Sequence, residues 1–215
     1  MSHEFTVTDS ELLVEAPILA LRRDTVTMPG GREAKREIVE HFGAVAVVAL
    51  DGDGRVAMVE QYRHSVGKRL LELPAGILDE ADEPELECAR RELREEAGLE
   101  AARWEVLVDL VTSPGFADEA VRVFLARGLT EVQRPEAEDE EADMSLEWIL
   151  LDDARRAVLE GRIVNSIAAS GLLAASAVSA GCATTRGTDE PFEYRPTKLA
   201  DRRKARGLSG DLKKI

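Results

Sequence analysis

The sequence predicts an α/β fold with an added run of strands at its N-terminus. Three observations predict it. Short β-prone pieces, broken by turn residues, fill about the first 43 residues. Two apolar runs, residues 44–50 and 56–62, flank Asp51-Gly52-Asp53-Gly54 and read as a β-hairpin. Further along, Leu86, Ala89, Leu93 and Ala97 fall three and four residues apart, the stripe of an amphipathic helix set between strand-like runs.

Taken in order, residues 12–14, 18–21, 25–28 and 38–42 are the expected strands of the extension, with Pro29-Gly30-Gly31 a turn. Gly43 separates them from the hairpin. Residues 65–69 form a polar, partly basic loop, and Leu70-Leu71 leads to Leu73-Pro74-Ala75-Gly76 at the end of a strand. Pro84 suits the first helical position and Gly98 the residue just past the helix end. Residues 104–111 and 121–125 are expected strands around a loop at 112–119. An acidic loop (130–143) and a strand (146–151) follow. Asp152 is expected to cap a helix that reaches about Leu159 and ends at Gly161. Another helix is expected over about 163–179. From Arg186 onward the chain has nine bases, five acids and no apolar period, which predicts a basic tail that is poorly ordered or lies on a surface. The expected units are therefore a β extension (1–43), a central domain (44–183) and a tail (184–215).

Charge narrows the function classes. The 215 residues carry 28 Lys+Arg against 42 Asp+Glu, a net charge of −14. No nucleic acid is expected as partner, because phosphates must be met by Lys and Arg. A phosphate-bearing small molecule is still allowed, since a bound metal ion inverts the local charge. Two windows hold the whole excess: residues 79–100 have ten acids and three bases, and residues 131–147 eight acids and one base. Cys88 and Cys182 make neither a disulfide framework nor a zinc spacing. The start of the chain has no basic region followed by an apolar one, and the uncharged stretch 163–185 contains several Ser residues and an Asn. No membrane span is expected, and a cytoplasmic location is. His3, His41 and His64 lack metal-ligand spacing and are read as structural or surface residues.

Glu92, Glu95 and Glu96 sit at i, i+3 and i+4, on one helical face. Like charges so placed destabilise an isolated helix, and Arg91 alone cannot offset them. Either the face is simply solvated, or a hard divalent cation with oxygen ligands sits there.

The segment Gly76 to Leu99 resembles the Nudix box. Gly76, Glu83, Arg91, Glu92, Leu93, Glu95, Glu96, Gly98 and Leu99 supply every specified residue type. Six residues separate Gly76 from Glu83 where the pattern has five, so Asp82 competes with Glu83 for that position. The resemblance implies an α/β/α sandwich with a mixed sheet and hydrolysis of a nucleoside diphosphate linked to another group. It also implies Mg²⁺, with Mn²⁺ an alternative, on Glu92, Glu96, Glu95 and the Ala75 carbonyl, with Arg91 orienting the glutamates. Gly76 is expected to let the preceding loop turn tightly.

Pro114 lies fifteen residues past Leu99, and Ser113-Pro114-Gly115-Phe116 with Glu119 resembles the ADP-ribose pyrophosphatases of that family. By that resemblance Arg63 contacts phosphate, with Lys68 and Arg69 secondary, and Tyr62 and Phe116 flank the adenine. A glutamate before the last strand would act as catalytic base: Glu141 is assigned and Glu140 is the alternative. The N-terminal strands would be exchanged across a homodimer, bringing a partner's Phe116 or Glu119 to the site. Two other readings stay open: turnover of another nucleotide conjugate, and a module that senses ADP-ribose without cleaving it.

Overall fold

The computed structural model describes residues 3–80, 82–134 and 143–207. It opens with an antiparallel sheet in the order β1 (Val7–Glu15), β2 (Ala20–Thr27), β3 (Glu33–Glu40). The expected pieces 18–21 and 25–28 prove to be the two ends of the single strand β2. The charged residues between them stay in the ladder because their charges are paired: buried Arg22 contacts Asp24, and its Nε lies 2.8 Å from buried Glu40. Buried charges need such partners, and the partner strand is invisible to hydrophobic periodicity. Pro29-Gly30-Gly31 makes the β2–β3 turn as expected, with both glycines at positive φ.

A second, mixed sheet forms the body. It comprises β4 (Ala44–Leu50), β5 (Arg55–Arg63), β6 (Lys68–Glu72), β7 (Ala75–Ile77), β8 (Leu99–Val111), β9 (Ala120–Glu131) and β10 (Ser145–Leu150). The main order is β10-β5-β4-β9-β8, with β6 on β5 and β7 on β4. Among the described strands of this sheet, β4 and β9 pair in parallel and the other pairs are antiparallel. The β4–β5 hairpin pairs through Leu50 and Val56 and then opens. Beyond the split, β6 pairs with β5, and β7 pairs with residues 44–46 of β4.

Both faces of this sheet are covered, which explains why β4 is apolar throughout. Val45, Val47 and Ala49 face α1 (Glu85–Ala97), packing with Cys88, Ala89 and Leu93. Ala46, Val48 and Leu50 face α2 (Leu151–Leu159) and α3 (Ser166–Ser179). The small residues of α3 allow close approach: a Cβ on Gly171 would lie 2.8 Å from Leu73 Cδ1. That packing accounts for the uncharged stretch, and no helix among the described residues is long and apolar enough to cross a membrane. Helix starts differ slightly from expectation. Pro84 precedes α1, Asp152 lies in the first turn of α2 without capping it, and Asn165 caps α3 by accepting from the Ala168 N–H at 2.9 Å.

The described part of the tail, expected to be poorly ordered or to lie on a surface, packs on the body of the protein. Arg186 bridges to Val106, and α4 (Lys198–Ala205) buries Leu199 against Ala20 and Phe42. Arg122, 1% exposed, explains much of this: it grips Asp109 twice and donates to the carbonyls of Glu190 (2.7 Å) and Pro191 (2.9 Å). Arg202 then pairs with Glu40 at 2.6 Å, tying α4 to the N-terminal sheet. Basic residues of this segment are mates for acids far back in the chain.

Candidate active site

Helix α1 turns its apolar stripe to the sheet, and Glu92 and Glu96 lie on the buried side with it, at 0% and 6% exposure. Glu95 is partly exposed. The buried carboxylates meet the segment that fills the split between β4 and β5. Glu96 Oε2 accepts the Ala75 N–H at 2.9 Å. Glu92 lies against Gly76, where a Cβ would fall 2.0 Å from Oε1 and 2.1 Å from Cδ. Gly76 does not have the positive φ of a tight left-handed turn. The expected turn role is therefore replaced by a steric one: the missing side chain makes room for a carboxylate.

Arg91 organises the acids. Its Nε and Nη2 donate to the two carboxylate oxygens of Glu83 at 3.1 and 3.0 Å. Its Nη1 donates to Glu92 at 2.7 Å and to Glu95 at 3.2 Å. Burial alone would lower the guanidinium pKa, but the Glu83 hydrogen bonds and the Glu92 charge outweigh it and hold Arg91 protonated. The choice between Asp82 and Glu83 is thereby decided for this contact. Glu83 grips Arg91, while exposed Asp82 turns to Lys204 at 2.9 and 3.0 Å. The extra residue is absorbed upstream, where Asp82 takes φ 65°. Cys88, under the same helix, is a buried thiol whose pKa is pushed far up by burial and by the Glu92 charge, so it stays neutral.

The other candidates lie at the same end of the sheet. Residues 44–46 of β4 pair with β7 on one side and with residues 121–123 of β9 on the other, so loop 113–119 ends beside the Ala75-Gly76 segment. Running antiparallel to β4, β5 carries Tyr62 and Arg63 to this end. Arg63 is fixed by two hydrogen bonds to buried Glu72, at 3.1 and 2.8 Å. Tyr62 and Phe116 are 47% and 60% exposed. Ser113 accepts from the N–H groups of Phe116 and Ala117, which closes the turn holding Pro114 and Gly115. Glu119 accepts from Thr112, and its carboxylate lies 3.7 Å from His41. Burial pushes the His41 pKa down against the opposing charges of Glu119 and Asp118. Strand β3 docks on this loop: the Val39 N–H donates to the Phe116 carbonyl at 2.7 Å.

Glu140 and Glu141 lie outside the described residues. The residues on either side of that stretch are anchored. Arg134 donates to the Glu95 carbonyl at 2.7 Å, and Asp143 pairs with Arg69. Two groups escaped the sequence reading. Glu72 was visible as an acid in the Glu72-Leu73-Pro74 run, but nothing there linked it to Arg63. Arg195, which reaches Glu83 and Glu85, lies over a hundred residues from them and gave no local signal.

The side-chain donors on this face of α1 are all carboxylate oxygens, which suits a hard divalent cation. Among the described residues no three His, Cys, Asp or Glu side chains are already gathered as a metal cluster. A cation here would therefore complete its shell with water, backbone carbonyl or substrate oxygen, as Mg²⁺ commonly does.

A family profile described as NUDIX domain matches residues 40–167, and one described as the nucleoside diphosphate sugar hydrolase N-terminal domain matches residues 5–39. The chain is 57% identical over 204 residues to an ADP-ribose pyrophosphatase of Mycobacterium tuberculosis, covering 95% of this chain and 99% of that protein. It is 40% identical to a methanol dehydrogenase activator of Bacillus methanolicus over 73% of this chain and 84% of that one. Among solved structures, an ADP compounds hydrolase superposes with a TM-score of 0.70 at 18% identity, covering 84% of this chain and 98% of the other, which speaks to the fold.

Proposed function

The chain belongs to the Nudix family, and on that premise we propose that it hydrolyses the pyrophosphate of ADP-ribose, with water as nucleophile, to AMP and ribose 5-phosphate. One observation carries the reading: Glu92 and Glu96 are held, buried, against the Gly76 and Ala75 backbone, with Arg91 clamped between Glu83 on one side and Glu92 and Glu95 on the other. The 57% identity over nearly the whole length of a named ADP-ribose pyrophosphatase supports the substrate.

Nudix hydrolases are in general divalent-metal dependent, and Mg²⁺, or Mn²⁺ in its place, would be held by Glu92, Glu96, Glu95 and the Ala75 carbonyl. When bound, it would neutralise the pyrophosphate oxygens and make water a better nucleophile. The protein's own groups do the rest. Arg91 keeps the glutamates aimed. Arg63, held in one orientation by Glu72, meets phosphate in a planar fork. Tyr62 and Phe116 offer exposed rings for the adenine, and the rest of loop 113–119 contributes to substrate binding beside them. Glu141, or Glu140 beside it, takes the proton from water. The contacts of the flanking described residues, Arg134 to the Glu95 carbonyl of α1 and Asp143 to Arg69 of β6, support that assignment. A homodimer belongs to the same reading. Val7, Leu12 and Val14 of β1 and Ile18 in the β1–β2 connection are exposed, as is Phe116 on the loop that β3 touches. Two unpaired cysteines fit a cytoplasmic setting.

The test is a screen of ADP-ribose, NADH, GDP-mannose and diadenosine polyphosphates with Mg²⁺. ADP-ribose should give the highest kcat/KM. A higher value for GDP-mannose would displace the substrate assignment. No turnover of any compound would sink the enzyme reading.

A further inference from the structure

We propose that Arg195 is a positioning residue for the metal-facing side of α1, acting through Glu83, so that the C-terminal segment forms part of the catalytic apparatus. The inference rests on the reading above that Glu92 and Glu96 hold the cation.

A chain of contacts carries it. Arg195 Nη1 donates to the Glu85 carboxylate at 2.9 Å and Nη2 to the Glu83 carbonyl at 3.3 Å. The Glu83 carboxylate takes two hydrogen bonds from Arg91, which in turn donates to Glu92 and Glu95. Glu83 is thus gripped from outside at its backbone and from inside at its side chain. The mount is firm on both sides. Ahead of Arg195, Phe192 lies 4.7 Å from the buried Arg122 guanidinium, which also fixes the carbonyls of Glu190 and Pro191. Behind it, Pro196 packs so closely on Gly43 that a Cβ there would fall 2.9 Å from Pro196 Cδ.

The clamp meets a specific need. The loop from Gly76 to Glu83 is one residue longer than the Nudix pattern and passes through the positive φ of Asp82. A longer loop leaves its last residue with more freedom, and Glu83 is the residue that must hold Arg91 still. Arg195 removes that freedom at a point the local sequence does not control. A residue acting this way should alter how well the glutamates hold metal, beyond its effect on folding.

The experiment titrates Mn²⁺, read by electron paramagnetic resonance of the free ion, into the full chain and its variants, with melting temperatures measured in parallel. Arg195→Ala should weaken Mn²⁺ binding by about 10-fold, the low end for groups that orient metal ligands, and raise the metal concentration for half-maximal activity to match. Arg195→Lys should recover part of the loss. Glu85→Gln should give a smaller loss that is not additive with Arg195→Ala, since both remove one clamp. Arg206→Ala, which breaks only the tail contact to Glu15, should leave Mn²⁺ affinity unchanged. Unchanged Mn²⁺ affinity in Arg195→Ala, even with a lowered melting temperature, would overturn the inference and leave the functional reading intact. A wild-type chain that binds no Mn²⁺ would overturn both.

Discussion

The Glu92 carboxylate occupies the space that a side chain at position 76 would need: a Cβ on Gly76 would lie 2.0 Å from Glu92 Oε1. Helix and loop, sixteen residues apart in sequence, therefore interlock through the absence of an atom.

Gly76→Ala should force Glu92 off its place. Glu92 is fully buried on its own helix and bonded to Arg91, so it cannot swing away freely. We expect kcat/KM for ADP-ribose to fall about 10²-fold, an effect of the size seen for displaced catalytic geometry, with a fall in melting temperature. Activity within twofold of wild type would show that the glutamate is dispensable or that the loop yields.

Glu83 and Asp82, adjacent in sequence, should behave oppositely. Glu83→Gln weakens the two-point grip on Arg91 and should lower Mg²⁺ affinity or activity by about 10- to 100-fold. Asp82→Asn removes an exposed pair with Lys204 and should leave melting temperature and activity close to wild type. The reverse pattern in steady-state kinetics would return the Nudix position to Asp82.

Glu141→Gln should reduce turnover by about 10²-fold or more while Mg²⁺ still binds, as expected for loss of a general base. If Glu140→Gln shows that loss instead, the base is one residue earlier. Unchanged turnover in both variants would reject the assignment.

Acid should loosen the C-terminal segment. Burial raises the Asp109 pKa, but hydrogen bonds from Arg122 and Arg186 outweigh it and leave the carboxyl below its ordinary value. A depressed folded pKa means that stabilisation is full above the unfolded value of about 3.9 and is lost as pH falls through the folded value. Melting temperature should therefore drop in that acid window, and the slope should flatten in Asp109→Asn. An equal slope in the variant would place the acid sensitivity elsewhere.

Much of the fold was legible because it rests on local patterns. The apolar runs of β4 and β5, the Pro29-Gly30-Gly31 turn and the stripe of α1 with Gly98 at its left-handed end each declare themselves within a few residues. The Nudix box was legible for the same reason, since Arg91, Glu92, Glu95 and Glu96 lie within two turns of one helix. What misled was charge. Arg22 and Asp24 looked like a break in a strand, and the basic residues after Arg186 gave no sign of where they dock, because the partners that make their placement favourable lie on other elements.

By itself the sequence determined which elements form and which chemistry one helix face can hold, because propensity, periodicity and motif spacing act over a turn or two. Only the tertiary structure decided that Glu83 rather than Asp82 grips Arg91, that Gly76 serves by leaving space, and that Arg195 reaches back to the start of α1. Each depends on which surfaces pack together, and a contact across a hundred residues leaves no trace in the local order of amino acids.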